Sequence, residues 1–163
     1  MNPFIIGIDP SLKSTGWAVI QPAGDLFTVI DCGHIPIRTN GKEARELQGL
    51  STIYDVLNEV LIRNVQVSLY GIECPPPVSR RGESSLTQAY GVCRCALGRR
   101  GILTGESFYP ASVKKEIAGL GSAEKSDVER CVQALLTERW EFECYDESDA
   151  VAVAMTYWRK LRK

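Results

Sequence analysis

The sequence predicts an α/β fold in which a mixed five-stranded sheet is flanked by helices. Three observations carry this. Two apolar runs, Phe4-Ile5-Ile6-Gly7-Ile8-Asp9 and Val67-Ser68-Leu69-Tyr70-Gly71-Ile72-Glu73, are short, β-rich and closed by proline, as buried strands are. Tight turns follow the first run, so its successors pair with it antiparallel. A helical period then separates the two runs, and a strand–helix–strand crossover favours parallel pairing between them.

The elements follow in order. Pro10 to Gly16 is a turn, Trp17-Ala18-Val19-Ile20 a second strand, Pro22-Ala23-Gly24-Asp25 a turn and Leu26 to Ile30 a third strand. From Lys42 to Arg63, apolar residues at Leu47, Leu50, Ile53/Tyr54, Leu57 and Leu61 keep a helical spacing. The strand ending at Glu73 comes next, at the same sheet edge as Asp9. Cys74 to Gly82 holds Pro75-Pro76-Pro77 and is irregular. Glu83 to Arg100 reads as a helix with Leu86, Tyr90, Cys93 and Leu97 on one stripe and small residues elsewhere. Ile102 to Tyr109 is a fifth strand, short helices start at Ala111 and after an N-cap Ser122, and a last helix starts at Asp146. Nothing repeats and no low-complexity linker splits the chain. At 163 residues this is expected to be one domain, with the ribonuclease-H-like layout.

Composition narrows the chemistry. The formal net charge is −1 and the pI about 5.9, which alone argues weakly against nucleic acid; two bound divalent cations would turn the charge positive. From Ser79 to Lys115 there are seven basic residues against two acids, a local stripe of the kind that meets a phosphate backbone. The closing cluster Arg159, Lys160, Arg162 and Lys163 reads first as a solvated helix end that complements the dipole. No leader or membrane-length apolar run is evident, so a cytoplasmic setting with reduced thiols is expected. The six cysteines include no Cys-x-x-Cys pair; most read as small core residues, and zinc is not expected. His34 follows a strand without an evident partner and is assigned no role.

Four acids speak for function: Asp9 and Glu73 at strand tips, and Asp146 and Asp149 three apart on one helix face. Taken singly, each has a bland explanation. Asp9 can open a turn before Pro10, Asp146 can cap a helix, and Asp149 can favour the helix dipole. Glu73 is the hardest to explain so, because glutamate is depleted in strands and costly at a buried end. Jointly the four point to hard divalent cations with oxygen ligands, Mg²⁺ above all. Lys125, in the first turn of a helix, opposes the macrodipole and suits a phosphate contact; the alternative is an exposed pair with Glu129. The glycine- and hydroxyl-rich turn near Asp9, within Gly7 to Gly16, is a weaker candidate for offering N–H groups to phosphate. Walker, dinucleotide and nucleophile-elbow motifs are absent.

These residues resemble the RuvC-type Holliday-junction resolvases, the crossover junction endodeoxyribonucleases. The resemblance rests on Gly7-Ile8-Asp9-Pro10 with Thr15-Gly16, on Ile72-Glu73, on Gly119-Leu120-Gly121-Ser122-Ala123-Glu124-Lys125-Ser126 and on Asp146-Glu147-Ser148-Asp149-Ala150, in family order from Met1 to about Tyr157. It implies one ribonuclease-H-like nuclease domain over 1–163, a homodimer that binds four-way DNA junctions and resolves them by paired symmetric nicks. By position it implies Asp9, Glu73, Asp146 and Asp149 as catalytic metal ligands for two Mg²⁺ ions, with Mn²⁺ able to substitute. Lys125 would be a catalytic, phosphate-contacting lysine and Lys114 a second DNA contact. Roles in DNA recombination and repair follow, in the cytoplasm or the DNA-containing compartment of the host, with no membrane partner.

In two respects the chain departs from the family, the wedge position and the low pI. Three residues past the strand-end glutamate the family carries an aromatic wedge; here that place is Pro76, and Arg80 and Arg81 follow as candidate phosphate contacts. With the low pI, this marks a divergent member. Three rivals stand beside this reading: a flap or general branched-DNA nuclease, a non-catalytic branched-DNA-binding module, and a sugar-kinase or actin-type ATPase. The last needs two lobes, more than 163 residues supply.

Overall fold

The computed structural model describes residues 2–37, 43–75 and 85–163. The chain order is β1 (Phe4–Asp9), β2 (Ser14–Ala23), β3 (Leu26–Pro36), α1 (Glu43–Arg63), β4 (Val67–Glu73), α2 (Ser85–Arg99), β5 (Thr104–Phe108), α3 (Pro110–Ala118), α4 (Lys125–Ala134) and α5 (Tyr145–Leu161). The strands form one mixed sheet in the order β3-β2-β1-β4-β5. Pairing is antiparallel from β1 through β2 to β3 and parallel from β1 through β4 to β5. This is the ribonuclease-H-like arrangement expected from the sequence.

Strand alternation sorts the side chains into two cores. Ile6, Ile8, Trp17 and Val19 pack with Ile53, Leu57 and Val60 of α1 and with Ala89, Cys93 and Leu97 of α2. Ile5, Ala18, Ile20 and Phe27 meet α3, α4 and above all α5, whose residues Ala150 to Met155 are fully buried. Two glycines let α5 lie this close. A Cβ on Gly7 would stand 2.0 Å from the Ala150 carbonyl oxygen, and one on Gly16 would stand 1.9 Å from that of Asp146.

Several boundaries differ from the sequence reading. β3 continues past Ile30 to Pro36, because a register shift at Val19/Ile20 keeps it paired with β2 down to Ser14. His34 therefore lies within a strand, and it has a partner. Ser122 does not cap α4. The chain makes one more turn, closed by Ala123 N–H to the Leu120 carbonyl, which buries Ala123; Glu124 takes the cap position and Lys125 is the first helical residue. α5 begins one residue earlier than expected, at Tyr145. Leu47, placed on the apolar stripe of α1, is 64% exposed; the buried stripe starts further along the helix. Of the cysteines only Cys93 is fully buried, and Cys95 is exposed. The starts expected at Lys42 and Glu83 lie outside the described residues. The terminal cations are paired, Lys160 with Glu106, Arg162 with Asp25 and Lys163 with Glu116, as a solvated helix end would be. Among the described residues no helix is long and apolar enough to cross a membrane.

Candidate active site

The site forms where β1, β4 and α5 meet. β1 and β4 run parallel with Ile8 beside Ile72, so the residues that follow, Asp9 and Glu73, leave the sheet side by side. Two residues before each acid stands a glycine, Gly7 and Gly71, on the face that α5 covers. The glycines admit the helix, and the acids rise beside its first turns. There α5 presents Asp146 and Asp149 on one side.

The outcome is a tight carboxylate cluster. Asp9, Asp146 and Asp149 each offer an oxygen within 4.8 Å of the others. Glu73 stands beside Asp9, near enough for the Asp9 charge to act on it. Burial, and then the charge of Asp149, push the Asp9 carboxyl up to about 7. Burial followed by the charge of Asp9 pushes Glu73 up to about 8. Asp149 is raised as well, chiefly by burial, against the opposing pull of Lys125.

Lys125 enters from the start of α4. Its Nζ lies 2.8 Å from Asp149 Oδ2 and 3.3 Å from Asp146 Oδ1. Burial alone would lower this ammonium; the bond to Asp149 and the charges of Asp149 and Asp146 outweigh it and raise it above its ordinary value. The alternative pairing with Glu129 is not what the structure shows. Lys114, on α3, stands near enough to lower both Glu73 and Asp149. All five sequence-derived residues thus converge, with Lys114 at the margin. Pro76, Arg80 and Arg81 lie outside the described residues; their segment leaves β4 after Cys74, whose N–H is held by the Phe108 carbonyl.

The Pro10–Thr15 turn aims Asp9 but has little to offer a phosphate. Its Ser11 N–H bonds Thr15 Oγ1 at 3.0 Å, and its Lys13 N–H bonds Ser11 Oγ at 3.1 Å. Thr15 Oγ1 in turn donates to the Ser11 carbonyl, and this buried hydroxyl latches the turn shut. Gly7 and Gly71, which seat α5 beside the acids, carry no reactive side chain; their signal in the sequence is that both site strands end in glycine, isoleucine and an acid.

The donor set is oxygen only, crowded and partly desolvated, which fits hard divalent cations rather than thiophilic metals. The raised carboxyls say the same, since like charges held this close need protons or cations between them.

Comparison with known proteins agrees with this chemistry. A family model described as "Crossover junction endodeoxyribonuclease RuvC" matches residues 5–157. Proteins of that name from Azorhizobium caulinodans and Orientia tsutsugamushi (strain Ikeda) are similar throughout. The first is 33% identical over 153 residues, covering 94% of this chain and 88% of the relative. The second is 35% identical over 152 residues, covering 93% and 92%. Among solved structures, Thermus thermophilus RuvC in complex with Holliday junction substrate superposes with a TM-score of 0.80 at 21% identity, covering 98% of this chain and 96% of that one. The yeast mitochondrial Holliday junction resolvase gives 0.61 at 13% identity, covering 97% and 80%, a likeness of fold.

Proposed function

The chain belongs to the RuvC family of crossover junction endodeoxyribonucleases, metal-dependent nucleases, and from that premise we propose that Asp9, Glu73, Asp146 and Asp149 hold the two divalent cations with which it nicks four-way DNA junctions. The observation that carries this is the convergence of three acids within 4.8 Å, with the Lys125 ammonium against two of them. Mg²⁺ is the cation the donors suit best, and Mn²⁺ replaces it. Bound there, such ions supply an activated water and stabilise the leaving 3′-oxygen of an in-line displacement at phosphorus.

The side chains do the rest. Asp9 and Glu73 are fixed by strands that cannot shift without disturbing both cores, so the ligand positions are set before DNA arrives. Lys125 is the counter-ion of Asp149 in the free protein. Were the acids to hold cations, its ammonium would be free to meet the non-bridging oxygens of the scissile phosphate and offset charge gathering there. Lys114 extends that positive edge. No side-chain nucleophile is required.

Paired, symmetric nicking follows from a homodimer, since a two-fold junction offers two equivalent phosphates. The outer face of α2 suits the contact: Gly91 and Gly98 are exposed and have no atom near where a Cβ would stand. The segment carrying Pro76, Arg80 and Arg81 then serves the branch point by shape and charge.

Cleavage of a panel of end-labelled branched DNAs with purified protein and Mg²⁺ tests the proposal. Four-way junctions should be cut at symmetry-related positions, and faster than flaps, forks or linear duplex. Flaps cut faster than junctions would reassign the protein as a general branched-DNA nuclease. Tight binding without cleavage in either metal would leave a binding module.

A further inference from the structure

Behind the acidic cluster lies a second group of metal-type donors that the nuclease reaction does not use. His34, Cys144 and Glu147 each offer a ligand atom within 4.8 Å of the other two. His34 Nδ1 is 2.9 Å from Glu147 Oε1, and the Cys32 Sγ is 4.0 Å from Glu147 Oε2. The donors come from two distant segments. Cys32 and His34 are two apart on β3 and share a sheet face, while Cys144 caps α5 and Glu147 stands in its first turn. Spacing within one segment could not reveal such a set. The fold assembles it.

We propose that Cys32, His34, Cys144 and Glu147 form a structural zinc site that clamps the start of α5 to β3. The donors are two thiols, an imidazole nitrogen and a carboxylate, the borderline-soft mixture zinc takes and Mg²⁺ avoids. With metal–ligand bonds of about 2.0–2.3 Å, tetrahedral ligands stand roughly 3.3–3.8 Å apart. His34, Cys144 and Glu147 already stand within 4.8 Å of one another, and Cys32, 4.0 Å from Glu147 Oε2 but outside that group, joins it by rotation of its side chain. Glu147 is 3% exposed, and a buried carboxylate needs a cation or full hydrogen bonding. It accepts from the Glu143 N–H at 2.9 Å, a bond zinc leaves in place to orient the ligand. Zinc replaces the contacts of Glu147 to His34 and Cys32 and the contact of Cys144 Sγ to Asp146. Four protein ligands leave no open position, hence a structural role. The site adjoins the acidic cluster, with Cys144 Sγ in contact with Asp146 Oδ2 at 4.0 Å, but the two donor groups share no residue.

Cobalt is the probe that tells the two centres apart. The full chain is stripped with chelator and titrated with Co²⁺. The expected result is an intense tetrahedral visible spectrum with thiolate charge-transfer absorption that saturates at one equivalent. Zn²⁺ should abolish it and excess Mg²⁺ should not. Asp149→Asn, which alters the oxygen cluster, should keep the spectrum, and Cys32→Ser with Cys144→Ser should lose it. One equivalent of Zn²⁺ should also raise the melting temperature of the wild type but not of His34→Gln. Absence of thiolate charge transfer in the wild type overturns the site. So does a band that survives in the double serine variant, which would place it on other cysteines.

Discussion

The carbonyl oxygen of Asp146 rests on the backbone of Gly16, so near that a Cβ at Gly16 would stand 1.9 Å from it. Gly16 pairs with Asp9 across β1 and β2. One hydrogen-sized side chain therefore sets the distance between the strand that carries Asp9 and the helix that carries Asp146 and Asp149.

Gly16→Ala should push the start of α5 off the sheet. Displacing a reacting group by about 1 Å costs about 10²-fold in rate. Single-turnover junction cleavage should fall by that order while junction binding persists. An unchanged rate would show that α5 is not seated by this contact.

Asp9→Asn, Glu73→Gln, Asp146→Asn and Asp149→Asn should each abolish cleavage in Mg²⁺ and leave junction affinity, measured by mobility shift, largely intact. Binding lost in step with cleavage in all four would make these acids structural.

Lys125→Ala should slow cleavage by about 10²–10³, the scale for removing one charged donor from a developing anion. A change below tenfold under single-turnover conditions would restrict Lys125 to pairing with Asp149.

The raised acids make the metal-free protein sensitive to pH. Asp9 and Glu73 sit at about 7 and about 8 against ordinary values of 3.8 and 4.5. Carboxyls raised by folding favour the native state when protonated. Their stabilisation is complete below the ordinary values and is lost as pH rises through about 8. In chelator, the melting temperature should fall between pH 5 and pH 8, an interval those pKa values span, and Asp9→Asn should flatten the slope. Mg²⁺ should recover most of the loss at pH 8, where it no longer competes with protons. A melting temperature that is flat across this range in chelator would mean the cluster is more hydrated than its burial implies.

Gly91→Leu should disrupt the proposed homodimer by filling the exposed face of α2, and light scattering at micromolar concentration should show monomers. A wild type that is monomeric with and without junction DNA would refute the dimer itself.

The strands and the clustered acids were legible because buried strands and a shared helix face impose periods that survive in one sequence. Asp9 and Glu73 end such strands, and the crossover rule places them together. Less legible was whatever depended on meeting across the fold. His34 showed no partner because Glu147 is more than a hundred residues away in the chain. Ser122 has the chemistry of a cap, but burying Ala123 took precedence and moved the helix start to Lys125. Leu47 keeps the period of α1 yet faces solvent, since the period does not say where the packed part of a helix begins.

Helix α5 carries two of the acids and is also the most deeply buried helix of the fold, solvent-free from Ala150 to Met155. Elements of that kind open only with the whole molecule, so their amide hydrogens exchange at the rate of global unfolding. Asp146 and Asp149 precede that segment on the same helix, so the part of α5 that opens last is the part that holds them in register with the strand acids.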